Sequence, residues 1–268
     1  QKAAWKGHKK SCEPPLTFPD VWKKVVAADA ARDWREVLKW QGRLEELMAF
    51  IPEPPSDVSE QVLALFLEAH RKGVASTGST EHALPMVALQ TRRVALLGKM
   101  ERFRDQGQAM CSIAQHLELL RKPEDAKQWY QRARKVGAAH GFFSVESQAC
   151  EGLGKLLIKE GRTAEEGLDL LRNALAAASL SEDEHIFAEA CILPTLIEAL
   201  FTTNNAPDEL ETLVPRFRAA AKAESRKKKR LGFAEMRSLY LSARLHEARG
   251  RPDEAVGEVR ALLALMRE

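Results

Sequence analysis

Pro123-Glu124-Asp125-Ala126 and Pro252-Asp253-Glu254-Ala255 each follow a turn-forming stretch and open an apolar run of helical period, so both read as helix starts. Proline at the first helical position gives up no hydrogen bond, and the acids beside it face the positive end of the helix dipole. Pro207-Asp208-Glu209-Leu210 repeats the device. Each start is preceded by another run of helical period. From about residue 19 onward the chain is therefore a succession of helix pairs, separated by short Gly, Pro, Asn or Asp signals. One such pair cannot bury its own apolar face, so pairs must stack on one another. Ala and Leu recur while β-branched residues are scarce, and no sheet is expected.

Residues 104–140 form the clearest unit. Its first helix carries Met110, Ile113, Ala114 and Leu117; after Arg121-Lys122-Pro123 the second carries Ala126, Tyr130 and Ala133. Small residues at 114 and 126 let two antiparallel helices approach closely, and Tyr130 fills the wedge beside them. These residues resemble the tetratricopeptide pattern. Residues 142–180 repeat the scheme with Cys150, Leu153, Gly154 and Leu157, then Gly167, Leu171, Ala174 and Leu175. Residues 232–267 do so with Leu239, Ala243 and His246, then Ala255, Val259 and Leu262. Residues 185–224 are a poorer copy, in which Pro194 is expected to kink or break the first helix. Residues 19–51 and 57–100 read as two further pairs; Asp33 starts a helix in the first, and Gly73 to Gly78 ends one in the second. The units recur every 40 to 45 residues or so, longer than the roughly 34 of the simplest arrays and similar to the kinesin-light-chain type. The resemblance implies an all-α fold: an α-solenoid of about six antiparallel helix pairs over 19–268, wound as a right-handed superhelix.

Composition narrows the class without naming a substrate. The 268 residues are 45% hydrophobic and 29% charged, which excludes a disordered or collagen-like chain. No apolar run approaches the roughly 18 residues of a membrane span, and no membrane partner is expected. The formal charge of +3 is spread with both signs interleaved, so nucleic acid is not an expected partner. Cysteines stand at 12, 111, 150 and 191 with no C-x-x-C pair, which points to a reducing interior and an intracellular protein. Cys111, Cys150 and Cys191 fall on first helices and are expected in the repeat core.

The first twelve residues are of another kind. His8 and Cys12 stand four apart, one face of a helix, and imidazole and thiolate both suit tetrahedral zinc. Gln1, Trp5, His8 and Cys12 together resemble the last turn of a MYND zinc finger, C-Q-x3-W-x2-H-x3-C. The resemblance implies that His8 and Cys12 are the last two ligands of a site whose other cysteines precede Gln1. It also implies a longer parent protein that holds zinc and binds proline-containing peptides. Two ligands do not close a structural site, so no zinc is expected on 1–12 alone. Glu13-Pro14-Pro15 ends the segment, and 13–18 reads as a linker.

No Gly-rich phosphate loop, H-E-x-x-H or G-x-S-x-G motif occurs. The seven histidines are scattered, and capping explains the carboxylates of Asp29, Asp33 and Glu36. The expectation is a non-enzymatic adaptor. The alternative is the noncatalytic helical-repeat portion of a larger enzyme, such as a MYND/SET-type lysine methyltransferase. First helices of a solenoid line its concave side. Aligned units place Gln108, Cys111 and Gln115 there, then Gln148, Glu151 and Lys155, then Arg237, Tyr240 and Arg244. The last three would grip an acidic or C-terminal carboxylate of a protein or peptide ligand, unless they are merely a solvated face. Arg226 to Arg230 is either an exposed inter-repeat turn or a weak nuclear signal, leaving a cytoplasmic or nuclear location open.

Overall fold

The computed structural model describes residues 16–51, 55–161, 164–180, 185–203, 207–228 and 233–266. Among them are thirteen α-helices, one 3-10 turn and no strand. The contacts divide the chain into two compact units, Gln1–Leu89 and Gln90–Glu268.

In the first unit, α1 (Phe18–Ala30) is opened by Thr17, whose backbone N–H donates to Asp20 Oδ2 at 3.1 Å. The expected second helix of this pair arrives as two short ones, α2 (Trp34–Lys39) and α3 (Gln41–Ala49), parted at Trp40. Asp33 caps α2 by accepting from the Glu36 N–H at 3.1 Å, as its position before the apolar run implied. Helix α4 (Ser56–Thr77) stops at Gly78, whose φ of +65° is the left-handed region that ends helices. The 3-10 turn Thr80–His82 then leads into α5 (Ala83–Lys99), in which the unit boundary falls. Val21, Val25, Val37, Leu44 and Phe66 form the buried centre of this unit.

The second unit is four antiparallel pairs: α6 (Phe103–Leu119) with α7 (Pro123–His140), α8 (Phe143–Glu160) with α9 (Ala164–Ser179), α10 (His185–Thr203) with α11 (Pro207–Lys228), and α12 (Phe233–Ala248) with α13 (Pro252–Leu265). Each helix packs on the next, and each first helix also touches the first helix of the following pair; the second helices make no comparable contact. First helices are therefore closer together than second helices, which curves this unit with α6, α8, α10 and α12 on the inside.

The tetratricopeptide positions pack as their sizes require. Ala114, Ala126 and Ala133 are buried, and the Tyr130 ring reaches across to the next pair. A Cβ on Gly152 would lie 2.2 Å from Tyr130 Cζ, so that glycine is the socket for the ring. The Tyr130 hydroxyl donates to Glu118 Oε1 at 2.6 Å, and burial with that carboxylate pushes its pKa far above the ordinary phenol. Gly154 and Gly167 meet face to face: a Cβ on Gly154 would stand 2.8 Å from the Gly167 carbonyl oxygen.

Within the second unit, ion pairs bridge neighbouring helix pairs at roughly one repeat of sequence. Arg172 grips Glu209 with two bonds of 3.2 and 2.9 Å, and Arg249 Nε lies 3.0 Å from Glu211. Of the kink or break expected at Pro194, the break does not occur: α10 runs on through it, the loss of one N–H being outweighed by the burial of Ile192, Leu193, Leu196 and Ile197 around it. Cys191 is exposed rather than in the core; it shares the open face of α10 with Thr195 and Glu198, one and two turns along.

Candidate functional site on the inner helices

The inner wall of the second unit is built by side chains that the core leaves over. On α6, Gln108 and Gln115 are exposed, whereas Cys111 is fully buried and is not part of the surface. Burial pushes the Cys111 thiol up to about 12, so it stays protonated and packs as an apolar group. On α8, Gln148 and Glu151 are half-buried, and Lys155 closes an ion pair with Glu151 at 2.5 Å. Thr195 on α10 donates to the same Glu151 carboxylate at 3.3 Å. That carboxylate is the joint between α8 and α10 on this wall.

Helix α12 brings Arg237, Tyr240 and Arg244 to one face, as their spacing of three and four residues requires. Arg237 is committed to a neighbour: its Nε and Nη2 lie 3.0 and 2.7 Å from the two carboxylate oxygens of Glu198 on α10. A forked pair of this kind holds α12 on α10 and leaves Arg237 less free to take a ligand carboxylate. Arg244 lies over the Phe201 ring of α10, 4.4 Å from its centroid, and 5.9 Å from that of Tyr240. Tyr240 itself is 48% exposed. The guanidinium of Arg244 is thus pre-oriented by two rings, one from each helix.

Phe233 is the residue that sequence reasoning passed over. It begins α12, is 75% exposed, and stands four residues before Arg237 and seven before Tyr240, on the same helical stripe. The signal was present as spacing, but a Phe at a helix start reads as core until the tertiary structure leaves it outside.

Other groups are accounted for by packing. The His116 ring lies 2.6 Å from the Ser112 carbonyl oxygen, and His246 Nδ1 lies 2.8 Å from Glu254. Burial lowers the His116 pKa, partly offset by that carbonyl. No group of three or more His, Cys, Asp or Glu side chains that would hold a metal occurs among the described residues. His8 and Cys12 lie outside the described residues, as do the side chains of Arg226 to Arg230. Among the described residues no helix is long and apolar enough to cross a membrane.

No protein-family model and no curated protein matches the sequence. Solved structures do match its fold. BtubC (BKLC) from P. vanneervenii superposes with a TM-score of 0.63 at 12% identity, over 94% of this chain and 90% of that one. The apo form of RapI gives 0.57 at 10% identity, over 94% and 98%. A Podosopora anserina putative kinesin light chain with nearly identical TPR-like repeats gives 0.50 at 16%, over 80% and 97%. The described residues are all-α, the second unit is a stack of tetratricopeptide-like helix pairs, and at these identities the likeness is one of fold.

Proposed function

We propose that the protein is a non-enzymatic scaffold that holds a partner protein or peptide along α6, α8, α10 and α12, with α12 as the anchor. The observation that carries this reading is the aromatic and cationic stripe of α12. Two rings, Phe233 and Tyr240, stand out into solvent along one stripe, and Arg244 on the same stripe is already held against Phe201 and Tyr240. Exposed Tyr and pre-oriented Arg are the residue types that dominate peptide hot spots, because they add contact at small entropic cost. A ligand segment with a carboxylate next to an apolar residue fits the stripe. Gln108 and Gln148 supply neutral hydrogen-bonding further along the wall.

The Arg237 fork to Glu198 changes how the site is tested. Arg237→Ala would loosen α12 from α10, whereas Tyr240→Ala and Arg244→Ala remove side chains from the open face. Each of the latter two is expected to weaken partner capture about thirtyfold, the equivalent of roughly 2 kcal/mol. The measurement is recovery of partners by the immobilised protein, with circular dichroism confirming unchanged helix content. Unaltered recovery by the double variant would leave the stripe a solvated face.

The resemblance of residues 1–12 to the end of a MYND finger extends the proposal: the parent protein carries zinc through His8, Cys12 and ligands upstream. The present polypeptide is then expected to purify without stoichiometric zinc, as read by atomic absorption. One tightly held zinc per chain, lost in Cys12→Ala, would contradict that.

A further inference from the structure

A chain of polar side chains runs through the first unit. Gln41 Nε2 on α3 donates to Glu45 Oε1 at 3.2 Å, and Gln41 Oε1 lies 3.0 Å from His70 Nε2 on α4. His70 Nδ1 lies 3.0 Å from Nδ1 of His82, the last residue of the 3-10 turn. His82 Nε2 is buried without a hydrogen-bond partner and stands 3.6 Å from Glu81 Oε1. Chemistry assigns the protons along this chain. An amide oxygen only accepts, so His70 Nε2 carries hydrogen; neutral His70 then accepts at Nδ1; His82 must donate from Nδ1 and keep Nε2 bare.

The His82 ring is seated as well as bonded. A Cβ on Gly73 would fall 2.5 Å from His82 Nε2, so only glycine leaves room for the ring against α4. Trp34 of α2 meets the same ring edge-on, with centroids 5.7 Å apart. The turn is thus held to α4 and α2 largely through one imidazole.

We propose that His70 and His82 form a proton-operated latch, which clasps the Thr80–His82 turn to α4 and α2 while the rings are neutral and releases it when both are charged. A first proton is tolerated: placed on His82 Nε2 it faces Glu81, and Nδ1–H still donates to His70. A second proton has only His70 Nδ1 to go to. There it opposes the His82 N–H, setting two donors and two cations 3.0 Å apart in a half-closed site. The charged groups acting on His70 are His82 from the turn and Glu45 from α3, while α2 presents the uncharged Trp34 ring. Burial first and His82 second hold the His70 pKa down to about 4, outweighing Glu45.

The test uses the full chain. Nitrogen-15 NMR of the imidazoles at pH 7.5 is expected to show His82 as the Nδ1–H tautomer and His70 as the Nε2–H tautomer. Amide exchange, corrected for intrinsic rates, is expected to show protection at Glu81 to Leu84 falling at least tenfold between pH 7.5 and 4. Amides of α8 keep theirs. His82→Phe retains a ring on Gly73 and Trp34 but takes no proton, and is expected to abolish the acid step. The opposite tautomers, protection at Glu81 to Leu84 that stays within twofold, or an acid step that persists in His82→Phe would each overturn the latch.

Discussion

Tyr130→Ala is expected to lower the stability of the second unit by about 4 kcal/mol, the range found when a fully buried aromatic side chain is deleted. The ring is 2% exposed, bonds Glu118 and occupies the hollow over Gly152 of the following pair, so its removal opens a cavity at the joint between two repeats. Gly152→Ala attacks the joint from the other side. With a new Cβ only 2.2 Å from the ring, and packing on every side, the expected loss is about 2 kcal/mol. The two losses should not add. Once Tyr130 is Ala, the Gly152→Ala methyl has space, and alanine's better helix propensity contributes up to about 1 kcal/mol in its favour. Urea unfolding of the four members of this cycle measures the coupling. Additive losses would mean that ring and glycine do not share one socket.

Acid is expected to weaken the first unit well before its carboxylates protonate. The unfolded chain binds a proton at His70 near pH 6.5, whereas the folded one resists until about 4. Between those values the unfolded state holds more protons, so stability present above pH 6.5 is lost as pH falls towards 4. A rigid fold would lose about 3 kcal/mol over that window, at roughly 1.4 kcal/mol for each pH unit. Release of the 3-10 turn would cap the loss at the free energy of opening the latch. His116, lowered by its own burial, adds a loss of the same sign in the second unit. With Trp129 replaced by Phe, tryptophan fluorescence during urea unfolding reports the first unit, and His70→Gln should flatten its dependence on pH. An equally steep dependence in that variant would assign the effect elsewhere.

The all-helical architecture was legible because it rests on local chemistry. Apolar residues at helical period, Pro with acids at helix starts and small residues at 114, 126, 154 and 167 are enough to imply closely packed antiparallel pairs. The boundaries of 104–140, 142–180 and 232–267 fall within a few residues of the pairs observed. Equally local is the stripe of Arg237, Tyr240 and Arg244, since three residues spaced by three and four share a helix face wherever the helix goes.

What spacing leaves open is which face meets a neighbour, and there the tertiary structure decided. Cys111 and Cys191 both fall on first helices, yet one is enclosed and the other exposed, because each helix is turned by the pairs on either side of it. Pro194 carries a strong local signal to break α10, which the burial of its neighbours overrides. Gly152 is the socket for Tyr130, and Gly73 the seat for His82, only because residues from other elements arrive there. Arg237 has its partner 39 residues away on another helix, and no helical period reports that Glu198 takes it. Periodicity along one chain determines what each helix has to bury; the packing of helices on one another selects the residues left over for binding, because a side chain is free only where no neighbour has claimed it.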